Sequence, residues 1–207
     1  MLTLFPIKRP APARRRTDFN RLPGLADILE DRLLLSADPN STFDALPAAT
    51  LTALDNYIAA PDASYTYSLD STITGPDYTD YVIRLTSQTW RTSADVDKPV
   101  WQHWVQIVVP NTVTNNTAIL KISGGSNTSG APTSADSETV LYATSLGSVA
   151  VLLRTVPSEP LVFTDESMSR SEDEIIAYTY DKFLDGGDSN WPLLLPMVKS
   201  AVRAMDT

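Results

Sequence analysis

The sequence has 207 residues and a formal net charge of −9, with 43% hydrophobic and 20% charged residues, which is enough apolar material for one globular domain. It contains no cysteine and one histidine, which excludes a disulfide scaffold, a thiolate metal site and a cysteine nucleophile, so any triad within the chain would use His103. The acidic balance argues against nucleic-acid binding, and no apolar run is long enough for a transmembrane helix.

The first 47 residues differ in composition from the rest. Residues 1–35 carry seven basic and four acidic groups, whereas residues 36–207 have a net charge of −12. Prolines prevent a long helix near the start, so residues 1–47 are predicted to be a flexible basic arm with a linker, followed by a domain at 48–207. The segment 29–39 resembles the LEPR-XLL motif of large secreted or surface-attached bacterial proteins, although Asp31 stands where proline is usual. That resemblance implies export and association with the cell surface through the arm; a short amphipathic helix packed on the domain is the alternative.

Periodicity predicts a helix and then a hairpin at the start of the domain. Apolar residues at helical spacing predict a helix over residues 49–60, which Pro61 ends. Residues 65–73 alternate at period two, and residues 81–85 are rich in strand-forming side chains. The turn sequence at 75–77 should join these two runs as an antiparallel hairpin.

Strands and helices alternate in the remainder of the chain. The predicted strands are residues 100–109, 117–122 and 148–153, and the predicted helices are residues 135–146, 172–184 and 193–205. The second and third strands are nearly all apolar, which predicts burial on both faces. The fold class predicted from this order is α/β, with a mixed, mostly parallel sheet covered on both sides by helices and an N-terminal antiparallel hairpin.

Capping residues support the helix at 172–184. Ser171 and Glu174 have the spacing of a capping box, and the acidic side chains of the first turn suit the positive end of the helix dipole. Gly186 and Gly187 should end the helix. The same carboxylates could form an acid/base pair, but capping accounts for every one of them.

The strongest candidate site is the loop formed by Gly124, Gly125, Ser126 and Asn127, between the strand at 117–122 and the helix at 135–146. Glycines at such a turn can leave backbone N–H groups free to point at an anion. The loop lacks the spacing of a phosphate-binding loop. An oxyanion hole needs only glycines that let the chain approach the substrate oxygen, and an ordinary turn is the other alternative.

Other candidate groups have plainer structural explanations. Ser145 lies in Ala143-Thr144-Ser145-Leu146-Gly147, where a helix leads into a strand, whereas a nucleophile elbow requires the opposite order. His103 lies in the middle of a strand, a position typical of a packed, hydrogen-bonded histidine. Asp185, Asp188 and Asn190 do not have the spacing of an EF-hand loop and suit a loop that ends a helix. We therefore expect no metal and no cofactor in this chain.

Several blocks of sequence resemble the PhoPQ-activated pathogenicity-related family. The blocks are Ala53–Tyr57, Thr86–Arg91, Pro99–Trp104, Val108–Pro110, Gly124–Asn127, Val156-Pro157, Pro160–Phe163, Ile175–Phe183, Trp191-Pro192 and Lys199–Asp206. They cover about residues 52–207 in order and without large gaps. The resemblance implies an α/β-hydrolase-like fold, which in this family is found in exported bacterial proteins linked to envelope stress or virulence.

The resemblance further implies a serine hydrolase of which this chain is the N-terminal half, with no nucleophile, acid or base in the chain itself. Members carry a Gly-x-Ser-x-x-Gly-type elbow shortly after the segment that matches Ala204–Asp206, so the chain is expected to stop before the nucleophile strand. The only site residues carried over are Gly124 to Asn127, as part of an oxyanion hole. A complete protein would cleave an ester or amide bond in an unidentified small-molecule or peptide substrate.

Two alternatives belong to other functional classes. They are a non-catalytic binding or signalling protein on a hydrolase scaffold, and a structural module anchored at the cell surface. If the sheet is cut before its fifth strand, an apolar edge is left open, so the isolated chain is expected to be marginally stable or to associate.

Overall fold

The computed structural model of the protein describes residues 51–207, which lie within one compact unit. The predicted arm, the LEPR-XLL-like segment and the linker lie outside the described residues. The elements are α1 (Ala53–Ala59), β1 (Thr66–Thr74), β2 (Tyr78–Thr89), β3 (Val100–Pro110), β4 (Ile119–Ile122), α2 (Ser137–Leu146), β5 (Ala150–Leu153), β6 (Leu161–Val162), β7 (Ser169–Arg170), α3 (Asp173–Gly186) and α4 (Leu194–Met205). Each predicted helix and strand in this range is present, with ends shifted by a few residues.

Five of the strands form one mixed sheet in the order β1-β2-β3-β5-β4, and β6 pairs with β7. The β1–β2, β2–β3 and β3–β5 pairs are antiparallel, and β4–β5 is parallel. The predicted hairpin is therefore confirmed, but the prediction of a mostly parallel sheet is wrong. Parallel neighbours need a long crossover; α2 provides one between β4 and β5, whereas β1, β2 and β3 follow one another without an intervening helix.

Helices cover both faces of this sheet, as predicted. Side chains alternate between faces along a strand, so Val105 and Val108 of β3 point in opposite directions. Val105 packs in a cluster with Ala204 of α4, and Val108 packs with Ala143 of α2. None of the helices within residues 51–207 is long and apolar enough to cross a membrane.

Burial agrees with the sequence for β5 but not for β4. Strand β5 is almost entirely buried between its two neighbours. Strand β4 lies at the edge of the sheet, and Ile122 at its end is 51% exposed. The prediction that β4 is buried on both faces is therefore wrong, because an apolar composition alone does not distinguish a central strand from an edge strand.

Helix ends combine local caps with one long-range contact. Thr52 and Asp55 form a reciprocal capping box at the start of α1, which the sequence analysis did not identify. Helix α3 ends at Gly187 in the left-handed conformation, as expected for a glycine cap. The capping box predicted from Ser171 and Glu174 is wrong, because Glu172 occupies the N-cap position with φ 47° and no side chain among residues 51–207 caps the helix. The N–H of Glu172 instead donates to Oε2 of Glu159 at 2.5 Å.

A cluster of aromatic rings packs the connection between α3 and α4 against the ends of β2 and β3. Trp90 and Trp101 are fully buried, with ring centroids 5.8 Å apart. Trp191 lies edge-on to Trp90 at 6.5 Å. The guanidinium of Arg91 lies 4.0 Å from the centre of the Trp191 ring and donates to Asp188 at 2.6 Å. The cluster therefore attaches the α3–α4 connection through ring packing and an ion pair together.

Candidate functional site

The loop Gly124–Asn127 follows the carboxyl end of β4, where the sequence analysis placed a candidate oxyanion hole. Both glycines are exposed, and Gly125 has φ 137°, a conformation that favours glycine. The carbonyl of Gly124 accepts a hydrogen bond from the N–H of Thr155 at 3.2 Å, which ties the loop to the end of β5. Within residues 51–207, the N–H groups of Gly124, Gly125 and Ser126 donate to no protein acceptor.

Asn127, by contrast, holds the loop in place. Its backbone N–H donates to the carbonyl of Glu159 at 2.5 Å, and its side-chain Nδ2 donates to the carbonyl of Pro160 at 3.0 Å. The ammonium group of Lys98 donates to its Oδ1 at 2.9 Å. The backbone N–H of Asn127 is therefore already paired, and the candidate backbone donors narrow to the N–H groups of Gly124, Gly125 and Ser126.

A shallow groove of about 150 Å³ runs beside this loop. Its walls include Ser126, Trp104 and Arg84. Arg84 donates to the side chain of Gln102 at 3.1 Å, and the indole N–H of Trp104 donates to the carbonyl of Ser129 at 3.1 Å. The groove therefore offers polar groups on both sides.

His103 borders the groove but belongs to the protein interior, with 2% of its surface exposed. Its Nδ1 faces the carbonyl oxygens of Arg154 and Thr155 at 3.2 and 3.1 Å, and its Nε2 faces Oγ of Ser87 at 2.9 Å. Because both partners of Nδ1 are acceptors, this nitrogen carries the proton and Nε2 accepts from Ser87. Burial lowers the pKa of His103 to about 4, so the ring is neutral at pH 7. The prediction of a packed, hydrogen-bonded histidine is confirmed.

The Ser87–His103 contact is part of a longer buried network that joins the sheet to α4. A β-bulge between Thr86 and Gln88 lets Ser87 and Gln88 both reach Ser200 of α4, at 3.0 and 3.1 Å. With His103 protonated at Nδ1, the Ser87 hydroxyl donates to Nε2 of its ring. The Tyr57 hydroxyl donates to the Gln88 side chain, and the Gln88 amide donates to the Ser200 hydroxyl. The single hydroxyl proton of Ser200 faces two acceptors, the Pro196 carbonyl at 2.9 Å and the Ser87 oxygen at 3.0 Å.

This network locks α4 onto the sheet rather than forming a catalytic dyad. A serine beside a histidine is the arrangement of an activated nucleophile, but Ser87 and Ser200 are both completely buried. No substrate carbonyl can reach the Ser87 hydroxyl. Sequence analysis missed the network because Ser200 is 113 positions from Ser87 and the bulge has no clear sequence signal.

The structure places two of the remaining candidates at the end of a helix or in the loop after one. Ser145 is exposed near the C-terminal end of α2, just before Gly147 ends the helix. Asp188 binds Arg91 with one carboxylate oxygen and the N–H of Asn190 with the other, at 2.6 and 2.9 Å. Across residues 51–207 there is no group of three or more His, Cys, Asp or Glu side chains that could hold a metal ion.

Comparison with known proteins places these elements in context. The sequence model of a family described as "PhoPQ-activated pathogenicity-related protein" matches residues 54–207. A curated protein from Dictyostelium discoideum, "Autocrine proliferation repressor protein A", is 41% identical over 157 residues, which are 75% of this chain and 32% of that protein. The chain thus spans about a third of the length of this relative. No solved structure matches.

Proposed function

This chain belongs to the PhoPQ-activated pathogenicity-related protein family, and from that premise we propose that it supplies the oxyanion-hole side of a serine hydrolase acting on an ester or amide. The nucleophile, acid and base are proposed to come from sequence equivalent to the part of the longer Dictyostelium relative that this chain does not cover. Alone, this chain is proposed to be catalytically incompetent.

The observation that carries the proposal is the position of the two glycines in the loop Gly124–Asn127. If β2 is counted as the first strand of a hydrolase sheet, β4 is the third, and the loop between β4 and α2 is the one that contributes an oxyanion-hole N–H in α/β-hydrolases. A serine hydroxyl attacking a carbonyl turns its oxygen into an oxyanion. Fixed N–H donors stabilise that charge most strongly when they need no rearrangement, and the anchoring by Asn127 meets this condition.

The edge of β4 supports the same proposal. Within residues 51–207, β4 pairs only with β5, which leaves one row of its backbone groups open for a further strand. A serine elbow following a strand docked there would lie next to the Gly124–Gly125 turn. The matched region is 32% of the Dictyostelium relative, so the remainder of that protein has the length to supply such a strand.

Export and association with the cell surface are proposed from the N-terminal arm. Seven basic groups within residues 1–35, followed by a strongly acidic remainder, make the arm a chemically separate segment. Its LEPR-XLL-like segment supports a sorting role. Fractionation of cells expressing the protein with and without residues 1–47 tests this, since loss of the arm should abolish surface retention.

The hydrolase proposal is tested with the complete reading frame of the gene. The purified protein is treated with a fluorophosphonate probe, which labels activated serines, and is assayed with a panel of ester and peptide substrates. Labelling of a serine downstream of Thr207 is expected. Substituting Gly125→Ala should lower kcat by up to about 100-fold with little change in KM, because a side chain strains the φ of 137° and displaces an oxyanion donor.

Gly130→Ala is the matched control, since a Cβ at Gly130 meets no atom of residues 51–207 within 4 Å. The hydrolase proposal is overturned if the complete protein is not labelled or has no serine elbow. That result would favour a second candidate, a non-catalytic signalling protein on the same scaffold, which the name of the Dictyostelium relative supports. If the protein does not react with the probe, specific binding of the protein to cells would then favour signalling over a surface-anchored structural module.

A further inference from the structure

A second cleft, separate from the groove beside Gly124, opens between the C-terminal end of α1, the end of β2 and the middle of α4. Its volume is about 550 Å³, within the range of about 300–1,000 Å³ usual for small-molecule sites. Its walls include Asn56, Tyr57, Asp62, Asn190 and Lys199. None of these side chains belongs to the oxyanion-hole site proposed above, so the cleft needs an explanation of its own.

Lys199 is the unusual member of this set, because its side chain is charged and only 4% of the residue is exposed. Its ammonium group donates to the carbonyls of Ala60 and Tyr57 at 2.9 and 3.3 Å, and it lies 5.0 Å from the centre of the Tyr57 ring. An ammonium group has three protons. Two carbonyls within residues 51–207 therefore leave one donor position for a group in the cleft.

Asp62 supplies the opposite charge and a complementary acceptor. Its Oδ1 accepts from the N–H and hydroxyl of Ser64 at 2.9 and 2.6 Å, and its Oδ2 accepts from the N–H of Thr89 at 2.9 Å. A carboxylate has about four lone-pair positions, so Oδ2 retains one. Among the described residues, Lys199 and Asp62 do not form a direct ion pair. They are nevertheless close enough for an electrostatic attraction between the two charges.

The charges in the cleft sum to zero, and the exposed amide side chains of Asn56 and Asn190 add groups that both donate and accept. A free anion would be opposed by Asp62, and a free cation would be opposed by Lys199. A hydroxyl group suits both, because it accepts from an ammonium and donates to a carboxylate at the same time. Neighbouring hydroxyls on one ring can satisfy the amides in the same way.

We propose that this cleft binds a neutral polyhydroxylated ligand, such as a short oligosaccharide, through hydroxyl groups that bridge Lys199 and Asp62. The strand directions place the cleft and the Gly124 turn at the same edge of the sheet, since β2 and β4 run parallel to each other across antiparallel β3. Strands β2 and β4 are separated by three inter-strand spacings, so their axes lie about 14 Å apart across the sheet. The site is proposed independently of any hydrolase activity.

The test is direct binding to the 207-residue protein, measured by isothermal titration calorimetry and saturation-transfer NMR. The probes are maltotriose, cellotriose and the trimer of N-acetylglucosamine, with citrate and inorganic phosphate as anionic comparators. At least one neutral trisaccharide should bind more tightly than either anion. Absence of binding by all three trisaccharides, or tighter binding of citrate or phosphate, overturns the proposal.

Variants locate the binding site. Asn56→Ala and Asn190→Ala change exposed side chains, and each should weaken binding of the trisaccharide about 3- to 10-fold, as expected for loss of one neutral hydrogen bond. Lys199→Met should weaken it more than 10-fold. Lys182→Met is the control, because Lys182 pairs with Asp165 outside the cleft. If Lys199→Met does not fold, the two asparagine variants decide, and unchanged affinity in both overturns the assignment.

Discussion

Lowering the pH from 7 to 4 should cost the folded protein about 3 kcal/mol of stability through His103 alone. Burial lowers the pKa of His103 to about 4, whereas a histidine in an unfolded chain has a pKa near 6.5. At pH 7 the ring is neutral in the folded state and mostly neutral in the unfolded chain, so its effect on stability there is small. Below about pH 6.5 the unfolded chain takes up the proton first, so stability falls until the pH reaches the folded pKa. The pKa difference, at about 1.4 kcal/mol per unit, gives the magnitude.

The assay compares urea unfolding of the wild type and His103→Gln between about pH 7 and pH 4. Glutamine keeps a hydrogen-bonding amide but does not titrate, so the variant should be less stable at pH 7 yet lose less stability on acidification. Subtracting the two curves removes the contribution of the carboxyl groups common to both proteins. The wild type should lose about 3 kcal/mol more than the variant over this range.

One histidine in the sequence makes a direct check simple. The ring proton signals of the untagged protein, followed by NMR, should show no titration between about pH 8 and pH 5. A midpoint near 6.5 in the folded protein would refute the assignment of Nδ1 and Nε2 to the interior network. Parallel pH dependences of the wild type and His103→Gln would refute it as well.

Two further predictions concern single side chains. Asp80 is completely buried, its Oδ1 has no partner among residues 51–207, and burial raises its pKa; Asp80→Asn should therefore raise Tm at pH 7, and the gain should shrink as the pH falls toward the unfolded pKa. An unchanged or lower Tm at pH 7 would contradict this. Gly147→Ala should cost roughly 1–3 kcal/mol in urea unfolding, because Gly147 has φ 57° and a Cβ would lie 2.2 Å from Oγ1 of Thr114, whereas the control Gly130→Ala should be nearly neutral.

Local patterns predicted the elements well because their determinants lie within a few residues. The hairpin follows from period-two alternation and the turn at 75–77, and the end of α3 follows from Gly187. The direction of strand pairing depends on contacts between distant residues. Alternating strands and helices suggested a mostly parallel sheet, but among the strands of residues 51–207 only the β4–β5 pair has a helical crossover and a parallel register.

The candidate site was predictable in part for the same reason. Two adjacent glycines after an apolar strand indicated the Gly124–Asn127 loop, and the structure places it at the carboxyl end of β4. The separate role of Asn127 was not predictable, because its partners Lys98, Glu159 and Pro160 are about 30 positions away. Likewise, Lys199 in its cleft depends on α1, which is about 140 positions away along the chain.

The aromatic cluster around Trp90 gives the protein an optical signal of its own. Trp90 and Trp101 are close enough for their electronic transitions to couple, and Trp191 joins them from the α3–α4 connection. Coupled transitions of this kind produce circular dichroism bands that depend on the angle and separation of the rings. Movement of the α3–α4 connection away from β2 would therefore change the spectrum before the sheet unfolds. Without any added label, the circular dichroism spectrum therefore reports whether the α3–α4 connection, which carries Trp191, is packed against Trp90.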